Sequence, residues 1–305
     1  MTLTRRWFSQ ACLGVATALV AVACGGGGDG GGGGDVVSVG SKDFTEQLII
    51  GEMYALVLEE NGLTVERKLN LGGTPVAQAA IESGEIDLYP EYTGTALLTV
   101  LKQPVSSDQQ EVFDTVKQAY QEQFNLVWLD PSPMNNTQAL AMTEERAEAL
   151  GIRTISDFAA QASDLTLIGP PEFEAREDGL PGLQEAYGDF SVKEYKAVDA
   201  GLRYKGLVDG EADVAVAFGT DGEISAFNLV VLEDDKGLFP PYQVAPIVSQ
   251  AALDANPAIA EALNQVSPLL NDEVMRQLNY EVSGNQREPA EVAREFLVDA
   301  GLVSE

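Results

Sequence analysis

Three short stretches concentrate the side chains that could do chemistry. The first is Ser41-Lys42-Asp43-Phe44-Thr45-Glu46, where a cation stands just ahead of an apolar-periodic run beginning at Thr45. A helix starting there would offer free backbone N–H groups and the positive end of its dipole, so Lys42 is placed to hold an anionic group. A plain N-cap at Thr45 beside a solvated Lys42 fits the position equally well. The second and densest stretch is Asp87-Leu-Tyr-Pro-Glu-Tyr-Thr-Gly-Thr95. It reads as a strand that turns at Pro90 and presents Tyr89, Tyr92, Thr93 and Thr95, which suits a pocket wall. Each tyrosine brings a π face for a cation and a hydroxyl for a polar group. Glu91 is an acid with no visible catalytic partner. The third stretch, Gly169-Pro-Pro-Glu-Phe-Glu-Ala-Arg-Glu-Asp-Gly179, carries Arg176. Arg176 could grip a carboxylate in bidentate fashion or pair with Glu172 or Glu177 on the surface. Further aromatics follow in Phe218-Gly-Thr-Asp221 and Phe239-Pro-Pro-Tyr242.

Composition removes whole classes of activity. The 305 residues hold 18 Lys+Arg against 48 Asp+Glu, a formal charge of −30, and no His. Such a polyanion repels nucleic-acid phosphates. Without His there is no Ser-His-Asp triad, no His general base and no His-bound zinc. Walker A, GxSxG and dinucleotide-binding glycine motifs are missing too, and no cofactor is expected. The balance of apolar and charged residues is that of a globular protein, and the length suggests two domains.

The elements that must position these residues alternate. Short apolar runs at 36–39, 64–69, 86–89, 136–142, 165–168, 192–195, 213–218, 230–232 and 244–248 read as strands. Longer periodic runs at 45–61, 74–83, 108–123, 143–150, 156–161 and 201–209 read as helices, and only helices follow at 257–266, 272–280 and 289–300. In the first helix Leu48, Ile49, Met53, Leu56 and Val57 share one face, and Gly62 ends it. The order is that of an α/β protein. Glu82-Ser-Gly-Glu-Ile-Asp87 resembles Val208-Asp-Gly-Glu-Ala-Asp213: a helix ends in Gly, and an acidic turn feeds a buried strand. Two similar lobes would produce this, and so would chance.

The N-terminus reads as an address. Arg5 and Arg6 precede an apolar stretch, 11–23, too short to span a bilayer comfortably, so 1–23 reads as a signal peptide. Thr4-Arg5-Arg6-Trp7-Phe8 fits twin-arginine export, and an ordinary Sec signal fits it as well. Ala21-Val-Ala-Cys24 resembles a bacterial lipobox, which makes Cys24 the expected lipidation site. The glycine run through 24–35 would be a flexible tether. Cys12 falls in the cleaved part, so the body has no thiol for a disulfide or a nucleophile.

Five segments, taken in order, resemble one family. Val39-Gly-Ser-Lys-Asp-Phe-Thr-Glu-Gln47, Leu69-Asn-Leu-Gly-Gly-Thr74, Gly84-Glu-Ile-Asp-Leu-Tyr-Pro-Glu-Tyr-Thr-Gly-Thr95, Asn136-Thr-Gln-Ala-Leu-Ala141 and Glu172-Phe-Glu-Ala-Arg-Glu-Asp-Gly179 are similar to the osmoprotectant-type substrate-binding proteins of ABC importers. That family binds glycine betaine, choline, carnitine and related quaternary amines. The resemblance implies a type II periplasmic-binding-protein fold: two α/β lobes joined by two crossover strands, with a ligand cleft between them. Lobe one would be 36–139 plus 246–305 and lobe two 140–245, with crossovers near 136–142 and 242–248.

By motif position the resemblance implies that Tyr92, Phe218 and Tyr242 wall a cation–π cage. Lys42, Thr95 and Arg176 would hold the ligand's carboxylate, and Asn136 and Gln138 complete the binding set. The family often has Tyr where Gln138 and Phe218 stand. A lost wall costs on the order of 1 kcal/mol. The ligand is then glycine betaine held weakly, or a larger betaine such as carnitine or ergothioneine to which Gln138 donates. The expected protein is an extracytoplasmic, lipid-anchored monomer without catalytic activity that delivers its ligand to a permease. Two other classes stay open: an enzyme using Glu91 or Asp221 with Lys42, and an extracellular sensor.

Overall fold

The computed structural model describes residues 36–305. The expected signal peptide, Cys24 and the glycine tether lie outside the described residues. Ten strands are found among the described residues: β1 Val37–Gly40, β2 Val65–Lys68, β3 Leu88–Tyr92, β4 Leu126–Trp128, β5 Gln138–Thr143, β6 Thr166–Gly169, β7 Glu194–Ala197, β8 Val214–Phe218, β9 Leu229–Val231 and β10 Val244–Ser249. They form two sheets, ordered β2-β1-β3-β10-β4 and β7-β6-β8-β5-β9. In each, the first three strands are parallel, the fourth runs against them, and the fifth pairs antiparallel with the fourth and so runs with the first three.

The sheets are built alike because the same local device recurs. Gly84 and Gly210 both take φ +75°, which a Cβ would oppose, and each ends a helix before an acidic turn. The Asp87 N–H then donates to Ser38 O at 2.8 Å while its carboxylate accepts from Ser38 N at 2.7 Å. Asp213 makes the same pair of bonds with Thr166, at 2.9 Å each. In both sheets this aspartate fixes the register of the incoming parallel strand. The short recurrence in the sequence therefore marks equivalent corners of two lobes.

The chain crosses between the sheets twice, through 129–137 and 232–243. The crossings are bonded to each other where they pass, Asn136 N–H to Tyr242 O at 3.0 Å and Ser132 N–H to Val244 O at 2.8 Å. Each delivers the strand that enters the other sheet antiparallel, β5 and β10.

Two expectations need correction. The strand does not turn at Pro90 but runs on to Tyr92. Pro90 lies opposite Pro246 of β10 at a pair that exchanges no hydrogen bonds, so neither missing N–H is owed to the other strand. The Pro246 carbonyl accepts from Leu129 N–H at 3.0 Å and the Pro90 carbonyl from Gln47 Nε2 at 2.8 Å. The helix α1, Thr45–Glu60, is not one-faced: Met53 to Leu58 are all buried. Helices Ala258–Leu263, Asp272–Ser283 and Pro289–Asp299 return to the first lobe and pack against α1. A helix enclosed on all sides has no polar stripe to reveal its orientation. Among the described residues no helix is long and apolar enough to cross a membrane.

Candidate functional site

In open α/β sheets ligands collect at the carboxyl ends of strands. Here the carboxyl ends of β1 and β3 in one sheet and of β6 and β8 in the other line one cleft of about 580 Å³. Lys42 follows β1 and Tyr92 ends β3, with Thr95 one helical turn on. Arg176 follows β6 and Phe218 ends β8. Asn136 and Tyr242 come from the crossings, and Gln138 begins β5. All eight residues singled out from the sequence line this cleft.

Most of their polar ends are already engaged. Lys42 Nζ lies 2.6 Å from Glu91 Oε1, and both side chains are almost fully buried. Glu91 also accepts from Tyr89 OH at 2.9 Å and from Tyr92 N–H at 2.6 Å. Glu91 therefore has partners that the sequence did not disclose. Burial pulls the Lys42 ammonium below its ordinary range by more than Glu91 restores.

Arg176 is clamped by neither Glu177 nor chiefly Glu172. Asp178 takes it in two-pronged fashion, Nε to Oδ1 at 2.7 Å and Nη2 to Oδ2 at 2.5 Å, with Glu172 3.5 Å from Nη1. Burial pushes the Asp178 carboxyl up, but Arg176 more than offsets this and holds it below the usual range. Asp178 Oδ2 also accepts from Gln138 Nε2 at 2.7 Å and Tyr242 OH at 2.9 Å. Gln138 Nε2 gives its other proton to Tyr242 OH, again at 2.9 Å. Gln138 is thus spent as a donor, contrary to the expectation that it donates to a ligand; its Oε1 is buried and unpartnered.

Several contributors were not assigned to the binding set from the sequence, among them Asp221, expected only as a possible enzymatic acid. Glu46, Phe44, Arg203, Tyr204, Asp221 and Asn279 also line the cleft. Phe44 stacks on Tyr92 with centroids 6.2 Å apart. The Arg203 guanidinium lies 4.6 Å from the Tyr204 ring centroid and 5.3 Å from that of Phe218. It donates to Val216 O at 2.8 Å and to Asp221 Oδ2 at 2.5 Å. The expected wall Phe218 therefore already carries a cation. Phe44 and Glu46 sit inside the motif around Lys42, a signal that could have been used. Tyr204 and Asn279 reach the cleft from helices that carry no local mark of it.

One pattern repeats around the cleft. Tyr92 OH donates to Glu46 at 2.7 Å, Tyr204 OH to Asp221 at 2.6 Å and Tyr242 OH to Asp178 at 2.9 Å. Burial first, and the neighbouring carboxylate second, push all three hydroxyls well above the ordinary tyrosine range, so they stay protonated donors. The α1 N-terminus also opens here, with no side-chain cap at Phe44. No cluster of three or more Cys, Asp or Glu fit to hold a metal occurs among the described residues.

Comparison with known proteins agrees with this arrangement. Residues 35–299 match the profile of the substrate-binding domain of ABC-type glycine betaine transport systems. A glycine-betaine-binding protein of Pseudomonas aeruginosa is 36% identical over 305 residues, covering 97% of this chain and 94% of that one. An ergothioneine transport permease/ergothioneine binding protein of Helicobacter pylori is also 36% identical, over 87% of this chain; the match spans only 47% of that longer protein. A crystal structure of a glycine betaine/carnitine/choline ABC transporter protein superposes with a TM-score of 0.73 at 30% identity, over 87% of this chain and 99% of that one. The chain belongs to the family of substrate-binding domains of ABC-type glycine betaine transport systems, and its fold is the two-lobed binding-protein fold.

Proposed function

We propose that this family member captures a small solute with a quaternary ammonium head in the cleft and hands it to a permease at a membrane. The observation that carries the reading is what the cleft leaves free. The hydroxyls of Tyr92, Tyr204 and Tyr242 are spent on carboxylates, so a ligand meets their rings, of which Tyr204 already faces Arg203 at 4.6 Å and Tyr92 faces Lys42 at 5.3 Å. A quaternary ammonium has no N–H to donate, and an aromatic face is its best partner. Phe218 has the Arg203 guanidinium and Tyr92 the Lys42 Nζ, each 5.3 Å from the ring centroid, so Tyr242 is the wall least engaged by the protein's own cations.

For a ligand carboxylate, Arg176 is the better clamp. Its Nη1 has only the 3.5 Å contact to Glu172, whereas Lys42 is sealed by Glu91 and acts through its field. The Thr95 hydroxyl adds a donor, whereas the buried, unpartnered carbonyl oxygens of Asn136 and Gln138 are acceptors that suit the ammonium end and not the carboxylate. A second reading, a larger betaine such as carnitine or ergothioneine, is favoured by the cleft volume and by the Helicobacter pylori relative. In both readings lobes 36–139 plus 246–305 and 140–245 close on the ligand about the paired crossings, and no turnover follows.

The N-terminal sequence supports export and an anchor at Cys24, with the body acting as an extracytoplasmic monomer. Calorimetric titration with glycine betaine, choline, carnitine and ergothioneine tests the reading. Binding of at least one is expected, weakened about tenfold or more by Tyr92→Ala or Tyr242→Ala. Absence of heat with all four would overturn it.

A further inference from the structure

Five charged side chains are buried among the described residues: Lys42, Glu46, Glu91, Asp178 and Arg203. Four of them have an opposite charge in contact. Lys42 and Glu91 hold each other, Asp178 has Arg176, and Arg203 has Asp221. Glu46 has none. Its Oε1 accepts from Tyr92 OH and Asn136 Nδ2, each at 2.7 Å. Its Oε2 accepts from Thr220 Oγ1 at 2.5 Å and Asn279 Nδ2 at 2.8 Å. Four neutral donors saturate the carboxylate without cancelling its charge. Burial pushes the carboxyl above its ordinary range, its hydrogen-bond donors pull it back, and the charge that acts on it is another acid, Asp221, which pushes it up further.

An isolated buried carboxylate is costly, and neutral hydrogen bonds recover only part of the cost. A fold that keeps one at the wall of its ligand cleft keeps a field there. Glu46 lines the cleft and is bonded to the phenol of a cage ring, where it adds electron density to the face a cation would use. It also draws the N–H ends of Asn136 and Asn279 toward itself, which leaves both amide carbonyl oxygens buried and unpartnered. Polarised C–H groups of an ammonium head are weak donors that such oxygens can accept. Everything Glu46 organises favours positive charge and offers nothing to an anion.

We propose that Glu46 is the uncompensated countercharge of the cleft, a specificity-determining positioning residue that makes it prefer a cationic head over a neutral group of the same shape. The inference rests on the quaternary-ammonium reading above. It separates charge recognition from shape recognition, which the aromatic rings alone would supply to a tert-butyl group as well.

The test pairs each ammonium ligand with its carbon isostere: choline with 3,3-dimethylbutan-1-ol, and glycine betaine with 3,3-dimethylbutanoate. Both pairs are titrated into wild type and Glu46→Gln, and the ratio of affinities within a pair is read. The wild type should favour the ammonium member, and Glu46→Gln should shrink that preference about tenfold or more. A purely structural role would weaken both members equally and leave the ratio intact, which would overturn the inference alone. A wild type that binds neither ammonium member would overturn the functional reading along with it. Should Glu46→Gln not fold, Glu46→Asp decides: it keeps the charge while displacing the donors, so the preference survives if charge sets it and collapses if geometry does.

Discussion

On the wall built from the first sheet, Glu46 is held by Tyr92, Asn136, Asn279 and, from the other side of the cleft, Thr220. On the wall built from the second, Asp178 and Asp221 are each clamped by an arginine. The same tyrosine–carboxylate couple thus appears in two electrostatic settings. Neutral donors leave the first wall with a net negative charge, while guanidinium groups bring the second to neutrality and, at Arg176, leave a cation part exposed. A zwitterion with an ammonium at one end and a carboxylate at the other matches that polarity. The equivalent corners at Asp87 and Asp213 show that the two lobes share a framework, so the difference was introduced by side chains alone.

Breaking the sealed pair of the first wall should have the largest effect. Glu91→Ala leaves Lys42 charged and buried, at a cost of about 3–5 kcal/mol in urea unfolding. A loss under about 1 kcal/mol would mean that Lys42 is reached by solvent, and the contrast between the walls would fail. Gly94 comes next. A Cβ there would stand 2.8 Å from the Tyr242 ring and 2.9 Å from Pro241 O. Gly94→Ala should cost about 1–3 kcal/mol and weaken ammonium binding by displacing that ring, as denaturation and calorimetry would show together. Thr220→Val removes the donor that reaches Glu46 from the second lobe. A loss of about 1–2 kcal/mol is expected, and an unchanged unfolding midpoint would show that the bond is dispensable.

The smallest effect concerns acid stability. The Asp178 carboxyl is held below its unfolded value, so the native state binds fewer protons than the unfolded chain between the two values. Its contribution is complete above pH 3.8 or so and is lost as pH falls through the folded value. Asp178→Asn should flatten that part of the acid unfolding curve, followed by circular dichroism between about pH 2 and 5. An identical curve would remove Asp178 from the account.

Much of the framework was legible because it is local. Alternating runs gave strands and helices, glycine with an acidic turn marked the two equivalent corners, and the motif around Lys42 pointed to a strand end. Boundaries slipped where a long-range partner decides them. The strand through Pro90 continues because β10, more than 150 residues away, pairs with it in a register that asks no N–H of Pro90. Helix α1 is buried on every side because the C-terminal helices return to it.

The site divides in the same way. Sequence alone determined which residue types are available: no histidine, no thiol in the body, tyrosines and a few cations at strand ends. These are matters of composition and short-range pattern, and they exclude chemistries whatever the fold. Which acid neutralises which base, and which acid is left without one, was decided only in three dimensions. Lys42 meets Glu91, Arg176 meets Asp178, and Glu46 gathers donors from four separate segments. Ionic and hydrogen-bond partnership depends on distances of about 3 Å and on burial, and neither quantity exists until the chain has folded.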